Sequence, residues 1–436
     1  MSKNDNLTDL LTDVADAIRA KKGSSAKINP QDFSSEIASI EGGGGVVAEI
    51  VPSDITFYDY DGTVLYAYTW EEWLANGIDY QPPLPEHDGL VCQGWTTPNI
   101  LYMSPKKRQH LNFGAMYITD DGKTRLYIRI NDERPTVPLY YSQTVANGVT
   151  IDWGDGSATV TQSGTGNKLA EHTYASGGDY VITLDAANGC TLGLGRSTSY
   201  FVVGDVSSKQ YRGILRKVEI GNNVTTLYAG AFYYCYNLES ITLPKGIKTI
   251  NANAFRYCYS LKHITLPDSV SSTGTYPFAE CTSLKSVVMP CNLISGSAYL
   301  FYYCSALETI SSEVLASIGS SAFINCCALT RASFMGNNVT VSSLAFRNCY
   351  SLTYIKLKCD SIAANAFDGC TSMAVYDFSD CTYVPSLANT NAFTSIPSDC
   401  KIVVPDSLYD SWIATTNWST YANYIIKKSE FEAQNA

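Results

Sequence analysis

The sequence predicts a modular, mostly β protein: short N-terminal helices, a connector of short strands, a small β-sandwich, and a long repeat solenoid with a C-terminal cap. Three observations carry this expectation. A unit of about 23 residues recurs from Val218 towards the C-terminus, the self-similarity that marks stacked repeats. Ahead of it, from about residue 50 to residue 187, apolar residues alternate in short runs broken by Asp, Asn and Gly, as in half-buried strands joined by turns. Helical spacing is strongest at the N-terminus, where Leu7, Leu10, Leu11, Val14, Ala17 and Ile18 recur on one face.

The 436 residues suffice for several domains, and 45% hydrophobic content supports packed cores. A net charge of -11 without any basic run argues against nucleic acid or an anionic membrane as partner. No apolar stretch is long enough to span a bilayer, so no membrane insertion is expected. The polar start does not read as a secretory signal. Tyrosine is abundant at 31 residues, and it is a favoured residue of recognition surfaces.

Residues 1–41 read as a helical attachment segment. Lys21, Lys22 and Gly23 end its first helix; a second follows Pro30 and carries Phe33, Ile37 and Ile40 on one side. Residues 42–49 form a Gly-rich linker. Residues 50–130 read as a connector of two strand pairs, each turning at an Asp-Gly: Asp61-Gly62 and Asp121-Gly122. That dipeptide between alternating runs is the strongest short hairpin signal, because both central residues of the favoured turn need positive φ. One short helix is expected around Trp70 to Ala75, before a proline-rich loop.

Residues 131–187 contain Trp153-Gly154-Asp155-Gly156-Ser157, then His172-Thr173-Tyr174 and an alternating Tyr180, Ile182, Leu184. This segment resembles the polycystic-kidney-disease-type (PKD) domain, which implies an Ig-like β-sandwich. Trp153 is then a core residue, and His172 a structural partner of the glycine turn. A connector over residues 188–212 leads to the repeats.

In residues 213–395, Phe-x-x-Cys recurs at Phe232/Cys235, Phe255/Cys258, Phe278/Cys281, Phe301/Cys304, Phe323/Cys326, Phe346/Cys349 and Phe367/Cys370. One rung per repeat would place Phe, Cys and the following Leu in inward ladders. The cysteines read as small buried hydrophobes rather than disulfide partners, and one per rung gives no closed metal set. The unit resembles the BspA-like leucine-rich repeats. Departures at Leu300-Phe301 and Ile310 to Leu315 mark rungs expected to bulge. Residues 396–436, with a strand at Ile402 to Val404 and a Trp-rich helix around Leu408 to Trp418, read as the cap and tail.

Asp59-Tyr60-Asp61-Gly62-Thr63 also resembles the nucleophile motif of haloacid-dehalogenase-type phosphatases, with Asp120-Asp121 in the place of the later acidic pair. Only one short helix separates the two motifs, so no doubly wound sheet can assemble. The hairpin reading is preferred, and with four histidines no enzyme and no cofactor are expected. The order of modules, with the segments Leu11 to Gly23, Asp59 to Thr69, His87 to Trp95 and Met116 to Ile128 ahead of the sandwich and repeats, resembles tail-fibre or receptor-binding proteins of phages of gut-type bacteria. That resemblance implies a virion protein assembled in the host cytoplasm. Residues 1–41 would join other virion proteins, a homo-oligomer (a trimer) would form, and the solenoid would meet a host-surface glycan or protein receptor. A head fibre or decoration protein and a bacterial surface adhesin are the alternatives. The variable positions beside Phe-x-x-Cys are candidate contacts: Tyr233, Tyr234, Tyr236, Arg256, Tyr257, Tyr259, Tyr302, Tyr303, Arg347 and Tyr350. Tyr and Arg there are expected to stack on sugar rings.

Overall fold

The computed structural model describes residues 54–76, 80–96, 111–133, 135–195, 202–203 and 213–434. The helices and linker expected before residue 50 lie outside the described residues. Everything described belongs to one compact unit beginning at Asp54.

A four-stranded sheet comes first, built from β1 (Ile55–Tyr58), β2 (Val64–Tyr68), β3 (Leu90–Trp95) and β4 (Leu111–Thr119), in the order β2-β1-β4-β3. Its first two strands form the hairpin expected at Asp61-Gly62. The turn differs from the expected one: only Gly62 has positive φ, at 92°. The Asp59 N–H donates to the Thr63 carbonyl and the Gly62 N–H to the Asp59 carbonyl. The loop is therefore three residues long, with glycine in the left-handed place. Helix α1 (Trp70–Ala75) lies where the sequence put it. It is held by a reciprocal cap in which Thr69 N–H donates to Glu72 Oε2 and Glu72 N–H to Thr69 Oγ1. Phe57 stacks on Phe113 at 4.4 Å, and Trp95 meets Phe57 edge-on. These rings and Trp73 form a core of their own.

The second expected hairpin does not exist. β4 pairs with β1 and β3, whereas β5 (Thr124–Ile130) joins a different sheet. Asp121-Gly122 is a corner between layers, closed by Gly122 N–H to Thr119 O and by Asp121 bonding Lys123 N–H and Arg125. An Asp-Gly dictates a local reversal; which strands then pair is decided by burial across the sheets. The expected connector boundary at residue 130 shifts accordingly, because β5 lies outside the first sheet.

After β5 come β6 (Thr136–Gln143), β7 (Val149–Asp152), β8 (Val160–Thr161), β9 (Gly166–Thr173), β10 (Gly178–Ala186) and β11 (Leu192–Leu194). The first repeat units add β12 (Leu215–Glu219), β13 (Val224–Leu227), β14 (Ser240–Ile241), β15 (Thr249–Ile250), β16 (His263–Thr265) and β17 (Ser272–Thr273). Two six-stranded sheets result, ordered β14-β12-β5-β10-β7-β8 and β17-β15-β13-β11-β6-β9. Their core includes Leu126, Ile151, Trp153, Ile182, Leu184, Leu139 and Leu192. His172 stacks on Trp153 at 4.9 Å and pairs with Asp155 at 2.7 Å. Tyr174 donates to the Trp153 carbonyl. Hydrogen bonds from Ser157 and His172 hold the Asp155 carboxyl down to about 2.

The repeats grow directly out of these sheets. β12 runs antiparallel to β5 and parallel to β14, and β13 runs parallel to both β11 and β15. The segment expected to be a connector, residues 188–212, contributes β11 and a bridge from Val203 to Leu139.

Along the solenoid the phenylalanines form one continuous stack. Successive ring centroids from Phe232 to Phe393 lie 5.2, 5.4, 5.4, 5.6, 4.9, 5.2 and 5.3 Å apart. The largest tilt, 28° between Phe301 and Phe323, falls on the step that is one residue shorter than its neighbours. Leu238, Leu261, Leu284, Leu307, Leu329 and Leu352 are fully buried beside the stack. The cysteines do more than fill space. The thiols of Cys258, Cys281, Cys304, Cys326, Cys349 and Cys370 each donate to the carbonyl of the preceding rung's Phe at 3.1–3.2 Å. Each of these carbonyls already accepts the N–H of the Cys in its own rung, so the thiol, a small apolar group with one weak donor, engages the second lone pair and ties one rung to the next. At Leu300 the rung is regular, with Phe278 N–H donating to the Leu300 carbonyl and Phe301 N–H to the Ala322 carbonyl. Over Ile310 to Leu315 an irregularity is found: Ser312 pairs with Phe334 but Ser317 with Thr340, so five steps on this rung oppose six on the next. The same segment of the next rung shifts register again, between Phe334 and Thr340, against Leu357 to Ser361. Asn338 there takes positive φ, and the adjacent Gly336 lies close against the Leu315 carbonyl.

At the far end, Lys401–Val404 pairs in parallel with Ile425–Lys427. Between them, helix α2 (Tyr409–Ala414) and a 3-10 turn over Trp418–Tyr424 bring Trp412 and Trp418 onto Phe378. Trp418 and Tyr421 also close on Phe393. The regular helix is shorter than expected, because it stops at Ala414.

The first sheet lies against the outward strand face of the early rungs. Tyr58 stacks on His263 at 5.2 Å, and Lys245 Nζ donates to the Gln93 carbonyl at 2.7 Å. Contact this close needs glycine: a Cβ on Gly62 would come 2.7 Å from His263 Cβ, and one on Gly114 would come 2.2 Å from Thr265 Oγ1. His263 is buried, with Nδ1 paired to Ser286 Oγ and Nε2 to Thr265 Oγ1.

Two outcomes follow from this packing. Burial pushes the Cys235 and Cys370 thiols up to about 12, and eleven of the fourteen cysteines are buried. A small alkylating agent should therefore label only Cys92, Cys291 and Cys327 in the native protein, and the others only as urea unfolds it; mass spectrometry of labelled peptides reads this directly. Burial also pushes His263 down from 6.5 to about 4. The unfolded chain then binds the extra proton between those values, so stability is fully present above pH 6.5 and is lost as pH falls through 4. Urea midpoints should drop over that window, with a smaller drop in His263→Gln.

Candidate functional site

Two backbone positions in each rung from Phe232 to Phe367, and one in the Phe393 rung, hold the chain in the left-handed region. Two residues before the ladder Phe stand Gly230, Asn253, Tyr276, Tyr299, Ser321, Leu344 and Asn365. Two residues after it stand Tyr234, Tyr257, Glu280, Tyr303, Asn325, Asn348, Gly369 and Ser395, all with positive φ. Gly and Asn tolerate this conformation; for other L-residues it costs about 1–2 kcal/mol each. Five of the positions carry tyrosine, and all five fall in the first four rungs.

These tyrosines meet across the rungs. Tyr234 stacks on Tyr257 at 4.1 Å and 17°, and Tyr276 on Tyr299 at 4.1 Å and 9°. The Arg256 guanidinium joins the two pairs, 4.7 Å from the Tyr257 ring and 4.6 Å from the Tyr276 ring. Its Nη2 donates to the Tyr257 hydroxyl at 2.9 Å and sits 3.6 Å from Glu280. Tyr233 meets Tyr234 and Tyr257 edge-on, Tyr259 meets Tyr257, and Tyr302 meets Tyr276, Tyr299 and Tyr303. Burial pushes the Tyr257 and Tyr276 phenols above their usual range, so they remain neutral hydroxyls at ordinary pH.

Seven of the ten residues singled out from the sequence thus lie in one ledge: Tyr233, Tyr234, Arg256, Tyr257, Tyr259, Tyr302 and Tyr303. Tyr236 is exposed at one end, its ring lying over Gly213. Arg347 and Tyr350 lie two rungs further on, where Arg347 pairs with Asp368 at 3.2 Å. Sequence reasoning missed Tyr276, Tyr299 and Glu280. They occupy the same left-handed positions, which repeat at fixed offsets from the ladder Phe, and that offset is the signal that would have found them. The expected mode of contact also changes. The facing sides of the stacked rings are covered by one another and by Arg256, so between Tyr234 and Tyr299 the row presents edges and hydroxyls instead of flat faces, with Tyr259 and Tyr303 exposed beside it.

Asp59, the residue of the phosphatase-like motif, is buried in the first sheet. Its Oδ2 pairs with His87 Nε2 at 2.7 Å, and its Oδ1 accepts from the Tyr117 hydroxyl at 2.7 Å and from Tyr60 N–H at 2.8 Å. Oδ1 thus ties the hairpin to β4, and Oδ2 ties it to the segment that leads into β3. Among the described residues no group of acids, histidines and cysteines is placed to hold a metal ion, and no helix is long and apolar enough to cross a membrane.

Parallel rungs carrying an inward Phe-Cys-Leu ladder define a solenoid of the leucine-rich-repeat class. Residues 210–314 and 297–410 match the BspA type leucine rich repeat region, in six copies, and the repeat region is of that type. Three solved structures are similar. A leucine-rich repeat protein of T. pallidum is 24% identical, over 38% of this chain and 75% of that one, with a TM-score of 0.28. One from Eubacterium ventriosum is 21% identical over 47% and 45%, with a TM-score of 0.29. A leucine-rich cell surface protein of Faecalibacterium prausnitzii is 21% identical over 50% and 62%, with a TM-score of 0.29. The chain therefore spans less than two thirds of the latter two proteins. No curated protein matches the chain.

The left-handed tyrosines give a direct energetic test. In Tyr257→Asn, relief of strain worth about 1–2 kcal/mol offsets the lost ring contacts, about 0.5–1.5 kcal/mol. Urea unfolding should place this variant within about 1 kcal/mol of the parent protein, whereas truncating an ordinary core aromatic costs about 3–5 kcal/mol.

Proposed function

We propose that the protein is a surface-recognition protein whose repeat solenoid binds a cell-surface receptor through the tyrosine ledge. One observation carries this reading: the chain holds five tyrosines in a backbone conformation where Gly or Asn costs less, and does so in four adjacent rungs only. Backbone strain concentrated in one part of a fold is a mark of function. The ledge is built for contact, with amphipathic rings of low conformational entropy.

The carrier proposed is a phage fibre of receptor-binding type. The grounds are the resemblance of the N-terminal and connector segments to such proteins and the modular order, with residues 1–41 as the attachment segment and a trimer as the assembly. Within it, the paired sheets around Trp153 serve as a PKD-type sandwich, and the Trp412–Trp418 segment as the cap of the last rung. A second carrier, a bacterial surface adhesin, is favoured by the BspA-type match of residues 210–410.

The full-length protein, fluorescently labelled, should bind whole cells, and the double variant Tyr257→Asn/Tyr276→Asn should bind them at least tenfold more weakly while keeping its unfolding midpoint. Binding to a panel of gut bacterial strains supports the fibre; binding to epithelial cells alone supports the adhesin. Unchanged binding by the double variant would overturn the ledge as the contact surface.

A further inference from the structure

From the geometry of the ledge we infer the class of ligand: an uncharged, extended oligosaccharide lying along the solenoid axis and held by tyrosyl hydroxyls and ring edges. This rests on the recognition reading above and narrows it.

The stacking decides which part of each tyrosine can meet a ligand. Tyr234 and Tyr257 cover each other's inner faces, as do Tyr276 and Tyr299, both at 4.1 Å. The Arg256 guanidinium fills the space between the pairs. A sugar ring therefore has no face to lie on between Tyr234 and Tyr299. The edges remain, and with them the hydroxyls. Each phenol is both donor and acceptor, so a hydroxyl already bonded within the ladder keeps capacity for a second partner. A ligand matched to this surface carries donors and acceptors at every step along its length, as a polyhydroxylated chain does.

The charge on the ledge selects further. Its cation, Arg256, is enclosed by two rings and sits 3.6 Å from Glu280. Sulfate or carboxylate groups on a ligand would find no free guanidinium and would face the Glu280 carboxylate. The row spans four rungs, from Phe232 to Phe301, at about 4.8 Å per rung. A single sugar would touch one step of that row and a chain would touch all of it. The hydroxyls are held in place by a fixed backbone, so little ordering is lost on binding.

Calorimetric titration of the full-length protein tests this with neutral gluco- and manno-oligosaccharides of one to six units, and with heparin and hyaluronan fragments as acidic counterparts. Affinity should rise at least tenfold from monosaccharide to tetrasaccharide and then level off, with no binding of the acidic fragments. Tyr257→Phe and Tyr276→Phe keep the stack and remove the hydroxyls, and each should weaken binding at least tenfold. Equal or tighter binding of the acidic fragments, or unchanged affinity in the Phe variants, overturns the inference. So does cell binding that survives periodate oxidation of surface glycans but not protease treatment, which would make the ligand a protein. That last result leaves the recognition reading intact, because the Tyr257→Asn/Tyr276→Asn variant would still lose cell binding.

Discussion

Every rung of the solenoid depends on its neighbour for a face on which to lay its phenylalanine. The ring stack running from Phe232 to Phe393 supplies it, and the thiol of the next rung adds a second hydrogen bond to a Phe carbonyl that the Cys N–H of its own rung already pairs. The ring contact cannot be made within a single repeat, so stability resides in the contacts between rungs. The two ends are closed by other elements. At the start β12 and β13 pair with β5 and β11, strands of sheets that already exist. At the finish Trp418 and Tyr421 close on Phe393.

The same regularity explains what could be read from the sequence. The Phe-Cys-Leu spacing maps one to one onto the buried ladder, because a strict period leaves one way to stack. Asp61-Gly62 and the α1 helix were equally legible, being set by residues within a few positions of one another. The fate of Asp121-Gly122 was not. Its neighbours β4 and β5 read as partners, yet each is buried against a different sheet, and nothing local records that choice. The docking of the first sheet on His263 was hidden for the same reason: it depends on Gly62 and Gly114 approaching residues some 150 to 200 positions away in sequence.

The ledge was half legible. Tyrosine beside Phe-x-x-Cys marked the right rungs, but side-chain chemistry alone suggested open ring faces. The backbone changes that reading. Positive φ at two fixed offsets in each turn aims the tyrosines of successive rungs at one another, and the rung spacing then brings them into stacking distance. In the later rungs these places hold Ser321, Asn325, Leu344, Asn348, Asn365, Gly369 and Ser395, so the fold accepts several residue types there and none of them is tyrosine.

The direct continuation of the two sheets into the repeats has a mechanical consequence. Strand pairing joins the rungs that carry the ledge to the sheets that precede them. Tension applied at the ledge reaches those sheets through strand ladders, the parallel β13–β11 and β12–β14 pairs and the antiparallel β12–β5 pair, where several backbone hydrogen bonds share it. Attachment through such a junction resists pulling in a way that a glycine-rich joint at the same place would not, and it keeps the ledge at a fixed orientation to the Trp153 core while under load.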